Sequence, residues 1–247
     1  MLIKEMLKNK KAVLFDLDGT ILDDSNIWNE IYIEFIKQEC NVEITIEQIN
    51  KDWHEHLKVF NSDDFYKSYV LYLINKYSKV KKKLNADELR KELYVIADIY
   101  VCNKVEYKEY APEVIKKLKG MGYRLGLGSI SDRETFKKYN YNNSNISNKM
   151  NLFDYFEKIV LYEDVANKKP NPEVYMKLIK ELNLNPEDCL IIEDSLSGIQ
   201  AAKNANIEVL NIPDECSLKN QNEIDNLADY KVNSLKELLD ILEEVWF

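Results

Sequence analysis

The chain has 247 residues, 45% of them hydrophobic, and a net charge of −9. These values are ordinary for a folded globular protein and exclude a disordered chain. Because 43 acidic residues outnumber 34 basic ones, the surface as a whole repels polyanions, which argues against a nucleic-acid partner. Residues 1–11 lack a secretion signal and no run of about 18 apolar residues occurs, so we expect a cytoplasmic protein without a membrane partner.

The four cysteines are scattered along the chain at Cys40, Cys102, Cys189 and Cys216. They form no C-x-x-C pair and have no histidine nearby, which excludes a zinc site. We therefore expect reduced thiols that serve as small buried apolar residues.

Short apolar runs that stop at polar residues predict five buried strands, at 11–15, 123–127, 158–161, 189–192 and 207–211. Helical patterns lie between them: Pro112 opens one helix and Asn171-Pro172 another, while Ser131-x-x-Glu134 fits a capping box. This alternation predicts an α/β fold with a mostly parallel sheet, in which ligands bind beyond the carboxyl ends of the strands.

Residues 26–105 break this rhythm, because their apolar positions recur at helical spacing. The stripes are Ile27, Ile31 and Phe35; Phe65, Tyr69, Leu73 and Tyr77; and Leu89, Leu93 and Ile96, the last preceded by the possible capping box Asn85-x-x-Glu88. We predict an all-helical insert at 25–105 within an α/β core of 1–24 and 106–247. The aromatic stripes indicate a helical core rather than a ligand cage.

Two polar segments carry no predicted function. The Asn-rich tract 139–151 has poor helix and strand formers and predicts a solvent-exposed loop. The basic run 79–83 predicts a solvated turn, with attraction of anionic substrates as the alternative.

Asp16 and Asp18 follow the first strand and are two residues apart, so in extended chain their side chains converge on one site. Like charges at roughly 4 Å cost about 4 kcal/mol in a surface-like dielectric, which calls for a divalent cation or a proton between them. The alternative is a turn or a calcium loop, but Ile21 and Leu22 stand where further oxygen ligands are needed. Gly19 and Thr20 offer backbone approach and a hydroxyl donor to an anion.

Glu193 and Asp194 repeat the arrangement at the end of the predicted strand 189–192. Mg²⁺ prefers a few carboxylates and retains several waters. Asp16, Asp194 and the carbonyl of Asp18 satisfy it, with Glu193 acting directly or through water.

A dianionic phosphate in an acidic site also needs cations and hydrogen-bond donors. Lys169 is the candidate cation, and Ser129, at the end of the strand 123–127, is the candidate hydroxyl.

Together these residues resemble the haloacid dehalogenase superfamily, specifically its phosphatase branch with a helical cap, close to β-phosphoglucomutase-like proteins. The resemblance covers nearly the whole chain. Its motifs appear in order as Phe15-Asp-Leu-Asp-Gly-Thr20, Leu127-Gly-Ser129, Lys169-Pro-Asn-Pro172 and Ile192-Glu-Asp-Ser-Leu-Ser-Gly198. The resemblance implies a Rossmann-like core and a cap domain that closes over the site.

By this resemblance Asp16 is the nucleophile that forms an aspartyl-phosphate, and Asp18 is the general acid and base. Lys169 and Ser129 position the phosphoryl oxygens and Thr20 supports the loop. The implied metal ion is Mg²⁺, held by Asp16, Asp18, Glu193 and Asp194. The implied substrate-binding residues are Gly19, Thr20, Ser129, Ile130, Ser131 and Lys169.

Departures from the family pattern bear on the reaction. The mutases carry a histidine in the first cap helix where this chain has Ile27-Trp28-Asn29, and we expect its two histidines, His54 and His56, to face solvent. Asp18 argues against the dehalogenase and phosphonatase branches, which replace it. The second motif has Ile130 where many relatives have Asn.

We therefore expect a Mg²⁺-dependent phosphohydrolase acting on a small phosphorylated metabolite, as a monomer or weak dimer. The first alternative is a β-phosphoglucomutase-type phosphomutase. The second is a non-catalytic protein that binds a phosphorylated ligand, which the full set of charged residues disfavours.

Overall fold

A computed structural model describes residues 5–24, 26–59, 65–79 and 85–244. The chain divides into two compact units, one formed by Met1–Ser25 with Val105–Phe247 and the other by Asn26–Lys104. The roles of catalytic core and cap for these units stay predictions.

The first unit is built on a six-stranded sheet with the order β5-β4-β1-β6-β7-β8, in which every neighbouring pair is parallel. Its strands are β1 (Ala12–Phe15), β4 (Arg124–Gly128), β5 (Lys158–Val160), β6 (Cys189–Glu193), β7 (Glu208–Asn211) and β8 (Tyr230–Lys231). The predicted α/β class is confirmed. The central strand β1 is apolar and buried along its whole length, as a parallel strand covered by helices requires.

A second, two-stranded sheet belongs to the same unit. β2 (Leu22–Asp23) and β3 (Glu106–Tyr107) pair antiparallel, with Leu22 opposite Tyr107 and Asp23 opposite Glu106. These short strands are the segments of the first unit that flank the helical insert in the sequence.

The described residues of the second unit, 26–59, 65–79 and 85–104, form four helices: α1 (Ile27–Cys40), α2 (Ile46–Val59), α3 (Phe65–Tyr77) and α4 (Ala86–Asn103). Its core is formed by buried residues that include Ile31, Phe35, Tyr69, Leu73 and Leu93, at the helical spacing that the sequence indicates. Asn85 caps α4 by accepting a hydrogen bond from the backbone N–H of Asp87.

The two histidines of α2 differ in exposure. His54 is exposed as expected, but the prediction that His56 faces solvent is wrong, because its ring packs 5.4 Å from that of Tyr69 and 5.2 Å from that of Tyr72. Nε2 of His56 and the Ser68 hydroxyl share a hydrogen bond of 2.6 Å, and burial lowers the pKa of this histidine. Residues 80–83 of the basic run lie outside the described residues.

Eight helices of the first unit have both ends within the described residues. They are α5 (Ala111–Gly120), α6 (Arg133–Tyr141), α7 (Ser144–Ser147), α8 (Leu152–Tyr155), α9 (Glu173–Leu182), α10 (Leu196–Asn204), α11 (Gln221–Leu227) and α12 (Leu235–Glu244). Short 3₁₀ turns lie at Tyr162–Asp164, Pro186–Asp188 and Glu215–Asn220. α9 packs on β4 and β5 through an apolar face that includes Val174, Tyr175 and Leu178.

The prediction of an exposed loop at 139–151 is wrong. α6 continues to Tyr141, and α7 and α8 follow, with Asn140 and Asn143 buried. Asn140 donates to the carbonyl of Phe136 and accepts from the N–H of Leu152, each at 2.8 Å. Asn143 caps α7 and donates to the carbonyl of Val105 at 2.8 Å. These amides satisfy buried backbone groups, so the segment is ordered by its asparagines.

The predicted capping box Ser131-x-x-Glu134 is also wrong, by one residue. Asp132 is the N-cap of α6, and its Oδ1 accepts a hydrogen bond of 2.8 Å from the N–H of Thr135. The hydroxyl of Ser131 is engaged elsewhere, with Asp18.

No disulfide joins the four cysteines, which lie within the described residues. Cys189 is buried as expected, whereas Cys216 is exposed and Cys40 and Cys102 are half-buried, so the prediction of burial is wrong for these three. Among the helices described here, none has the length and apolar character that crossing a membrane requires.

Candidate active site

The strand ends bring the predicted motifs together at one edge of the sheet. β1 lies between β4 and β6, with Phe15 in register with both Leu127 and Ile192. The next residue, Asp16, donates its N–H to the carbonyl of Ile192 at 3.0 Å. Because all three strands run in the same direction, the residues that follow them emerge side by side.

Asp16, Glu193 and Asp194 form a buried cluster in which one oxygen of each carboxylate lies within 4.8 Å of the others. Burial raises the pKa of Asp16 well above its ordinary value, and the charges of Glu193, Asp194 and Asp18 add to this effect while Lys169 opposes it. Burial together with Glu193 raises the pKa of Asp194 to about 7. Buried carboxylates this close together repel one another when they are ionised. A hard divalent cation suits such a site because it offsets this repulsion.

Lys169 supplies positive charge beside Asp16 and Glu193, two of the three carboxylates. Its side chain is only 3% exposed, and Nζ donates to Oδ1 of Asp16 and, at 2.7 Å, to Oε1 of Glu193. Burial alone lowers the pKa of this amine, but Asp16 and Glu193 raise it well above its ordinary value. Lys169 is therefore charged and held against Asp16.

The carboxylate of Glu193 occupies a space that only glycine leaves open. A Cβ atom at Gly198, in the first turn of α10, would lie 1.6 Å from Oε1 of Glu193. The same carboxylate accepts hydrogen bonds from the hydroxyl of Tyr175 at 3.0 Å and from the N–H of Ser195 at 2.9 Å. The sequence prediction missed Tyr175. The only sequence signal for its role is that a tyrosine on an apolar helix face carries a hydroxyl group, which usually has a hydrogen-bond partner when it is buried.

Asp18 lies among hydroxyl groups. Its Oδ2 accepts hydrogen bonds from Ser129 Oγ at 2.8 Å and from Ser131 Oγ at 2.6 Å. Ser129 Oγ also accepts the N–H of Ser131 at 2.8 Å. The two serines of the second motif therefore fix the orientation of the Asp18 carboxyl, whereas Ile130 between them is 45% exposed.

Asp24 is a buried acid at this site that the sequence prediction missed. Its Oδ1 accepts the N–H of Gly19, which has a positive φ of 81°, and its Oδ2 accepts the hydroxyl of Tyr139, each at 3.1 Å. Burial and the charge of Asp18 raise the pKa of Asp24 well above its ordinary value. The acidic pair Asp23-Asp24 after the apolar residues Ile21 and Leu22 was the available signal, and of the two only Asp24 is buried.

Asp194 is held by hydroxyl groups on both oxygens. Thr20 Oγ1 donates to Oδ1 at 2.8 Å, and Ser217 Oγ donates to Oδ2 at 3.3 Å. Thr20 thus directs its hydroxyl at a carboxylate. Ser217, on the 3₁₀ turn after β7, carries no sequence signal that separates it from any other serine.

Comparisons with known proteins show which proteins this chain is similar to. A family model for haloacid dehalogenase-like hydrolases matches residues 10–206. A bifunctional riboflavin kinase/FMN phosphatase of Arabidopsis thaliana is 29% identical over 241 residues, which are 97% of this chain but only 56% of that protein. The Bacillus subtilis protein YhcW, which carries a phosphatase name, is 30% identical over 212 residues, 83% of this chain and 84% of YhcW.

Among solved structures, a β-phosphoglucomutase from Clostridium difficile shares the fold with a TM-score of 0.64 and 21% identity, over 96% of each chain. The chain therefore belongs to the haloacid dehalogenase-like hydrolases and is an enzyme of their phosphatase branch. The predicted family and the Rossmann-like fold are confirmed.

Proposed function

We propose that this chain is a Mg²⁺-dependent phosphohydrolase that cleaves a small-metabolite phosphomonoester through an aspartyl-phosphate on Asp16. The observation that carries the proposal is the contact of Lys169 with Asp16 inside a cluster that also contains Asp194. An attacking carboxylate, a fixed cation beside it and a second carboxylate for a metal ion are the parts that phosphoryl transfer needs.

In the first step a carboxylate oxygen of Asp16 attacks phosphorus while the ester P–O bond breaks. The leaving oxygen takes a proton from Asp18, which Ser129 and Ser131 orient. In the second step Asp18 takes a proton from water, whose oxygen attacks phosphorus and releases phosphate and the Asp16 carboxylate. Lys169 balances negative charge on the Asp16 carboxylate before the attack and on the phosphoryl group that Asp16 receives.

The donor set fits Mg²⁺, because its side-chain ligands are all carboxylate oxygens. Asp16 and Asp194 would hold the ion, together with the carbonyl of Asp18, and Glu193 would contribute directly or through water. When bound, Mg²⁺ neutralises negative charge on the phosphoryl oxygens. Thr20 and Ser217 keep the Asp194 oxygens in place for this role.

We assign substrate binding to Gly19, Thr20, Ser129, Ile130, Ser131 and Lys169, and the role of a cap to the helical unit 26–104. A cap that closes during turnover excludes bulk water and contacts the leaving group. The phosphatase names of the relatives support a small phosphorylated metabolite as substrate.

A β-phosphoglucomutase-type mutase is the second candidate, supported by the shared fold of the Clostridium difficile enzyme. It differs in returning the phosphoryl group to substrate rather than to water. Trp28 and its neighbours Ile27 and Asn29 replace the histidine expected of a mutase, which favours hydrolysis. Product analysis with β-glucose 1-phosphate separates the two, because only a mutase forms glucose 6-phosphate.

The test of the proposal is Mg²⁺-dependent cleavage of p-nitrophenyl phosphate by the wild type and by Asp16→Asn, which keeps the size of the side chain. We expect turnover by the wild type only, and its loss when the metal ion is chelated. Equal activity in the two proteins would eliminate the aspartyl-phosphate mechanism. Absence of turnover in both, with tight binding of phosphate, would favour a non-catalytic binding protein.

A further inference from the structure

The buried carboxylate of Glu193 has donors on both oxygens. Oε1 accepts from Lys169 Nζ at 2.7 Å and from Tyr175 OH at 3.0 Å. Oε2 accepts from the N–H of Asp194 and the N–H of Ser195, each at 2.9 Å, and from Ser195 Oγ at 3.1 Å. The Oε2 side is thus fixed by the backbone before α10, while the Oε1 side depends on two side chains.

Tyr175 is the neutral one of these two side chains. It lies on α9, is fully buried, and contacts both members of the Lys169–Glu193 ion pair. Its hydroxyl donates to Glu193, and the centroid of its ring lies 4.9 Å from Nζ of Lys169. The face of the Tyr175 ring attracts the ammonium of Lys169. The Tyr175 hydroxyl donates to Oε1 of Glu193, the same oxygen that accepts from this ammonium.

We propose that Tyr175 is a positioning residue for phosphoryl transfer: its hydroxyl fixes the Glu193 oxygen that holds Lys169, so that the ammonium stays directed at Asp16. The inference rests on the proposed function, because it gives Lys169 the task of balancing charge on the reacting groups. The four motif segments quoted from the sequence do not include this tyrosine, which lies three residues beyond the Lys169-Pro-Asn-Pro172 segment.

Loss of the hydroxyl leaves Oε1 with one side-chain donor and allows the Glu193 carboxylate and Lys169 to shift together. A cation that is displaced by a fraction of an ångström still attracts an anionic substrate but stabilises the transition state less well. We therefore expect kcat to fall about tenfold and KM to change less than about twofold, the pattern of an interaction that matters most in the transition state.

The experiment compares Tyr175→Phe with Tyr107→Phe in Mg²⁺-dependent cleavage of p-nitrophenyl phosphate. Tyr107 is a matched control, since it is buried in the same unit and its hydroxyl donates to the carbonyl of Met150 at 2.7 Å, outside the carboxylate cluster. Both changes remove one buried hydroxyl and keep the ring. We expect both variants to fold and only Tyr175→Phe to lose kcat.

A double-mutant cycle with Glu193→Gln tests the route of the effect. If the hydroxyl acts through Glu193, Tyr175→Phe costs less than about twofold in the Glu193→Gln background, because the charged partner is already gone. Wild-type kcat in Tyr175→Phe, an equal loss in Tyr107→Phe, or an undiminished loss in the Glu193→Gln background would each overturn the inference while the wild type remains active. A wild type without Mg²⁺-dependent turnover would overturn the proposed function, and this inference with it.

Discussion

Thr20 and Asp194 lie 174 residues apart in the sequence, and the hydroxyl of Thr20 donates a 2.8 Å hydrogen bond to Oδ1 of Asp194. This bond joins the loop after β1 to the loop after β6. Thr20 therefore supports the carboxylate of Asp194. The orientation of this proposed metal ligand depends on a residue from a distant motif.

Thr20→Val replaces this hydroxyl with a methyl group of similar size and should weaken Mg²⁺ binding about tenfold or more, because hydrogen bonds to charged groups contribute about 1.5–3 kcal/mol. Isothermal titration of the metal ion measures the effect independently of turnover. Thr20→Ser, which retains the hydroxyl, should bind Mg²⁺ nearly as the wild type does. Equal affinity in the valine and serine variants would contradict this account.

Gly198→Ala should displace Glu193, because the added Cβ would lie 1.6 Å from Oε1. We expect a loss of about 3 kcal/mol or more in the free energy of unfolding, typical of disrupting a buried ion pair, together with a loss of phosphatase activity. Urea denaturation and the aryl phosphate assay measure the two effects. Gly120→Ala is the matched control, since no atom lies within 4 Å of its added Cβ, and it should unfold within about 1 kcal/mol of the wild type.

The metal-free protein should lose stability as the pH rises from about 6 to about 8. The pKa of Asp194 is raised from 3.8 to about 7, so the folded state binds this proton more tightly than the unfolded chain does. The resulting stability is fully present below 3.8 and is lost as the pH rises through about 7. Urea denaturation in the presence of a chelator measures the change.

Asp194→Asn removes this titrating group together with its effect on the pKa of Asp16, and the difference between the two proteins cancels the contribution of His56. The pKa of His56 is lowered by burial, so its own effect has the opposite sign. We expect the variant to lose less stability over this interval than the wild type. A wild type that loses no more than Asp194→Asn would show that Asp194 is ionised throughout. Added Mg²⁺ should stabilise the wild type more at about pH 8 than at about pH 6.

Asn143→Ala should cost about 1–3 kcal/mol in the free energy of unfolding, because it removes the partner of the Val105 carbonyl and the cap of α7. Asn142 is exposed in the same segment, and Asn142→Ala should change stability by less than about 0.5 kcal/mol. Thermal denaturation of the pair measures the contrast. Equal effects would mean that the Asn-rich tract behaves as the exposed loop that its composition suggests.

The sequence predicted the parts of this molecule that depend on local pattern. The apolar run ending at Phe15 is typical of a buried parallel strand, and the polar residues after such runs lie at the carboxyl edge of the sheet. The proximity of Asp16 and Asp194 could therefore be predicted without coordinates, because both follow adjacent parallel strands, β1 and β6. Lys169 lies beyond the 3₁₀ turn that follows β5, so its contact with Asp16 does not follow from the strand order.

What the sequence did not predict depends on partners that are distant in the chain. Asparagine is a poor helix and strand former, so Asn143 indicates a loop. The side chain is nevertheless buried, because it donates a hydrogen bond to the carbonyl of Val105. Tyr175 fits an apolar helix stripe, and nothing in that stripe reveals that its hydroxyl meets Glu193. Ser131 matches a capping box by spacing, but its hydroxyl donates to Asp18 and the side chain of Asp132 caps the helix instead. In each case a tertiary hydrogen bond overrides a local preference.

The pairing of Leu22 with Tyr107 and of Asp23 with Glu106 places the two chain segments that flank the helical unit side by side. An insert between these two segments therefore has to begin and end at adjacent positions in the fold. A segment of almost any length can meet this condition. Every strand of the parallel sheet pairs only with other strands of the first unit. The register of the strands in the first unit is therefore set independently of the length and sequence of the insert.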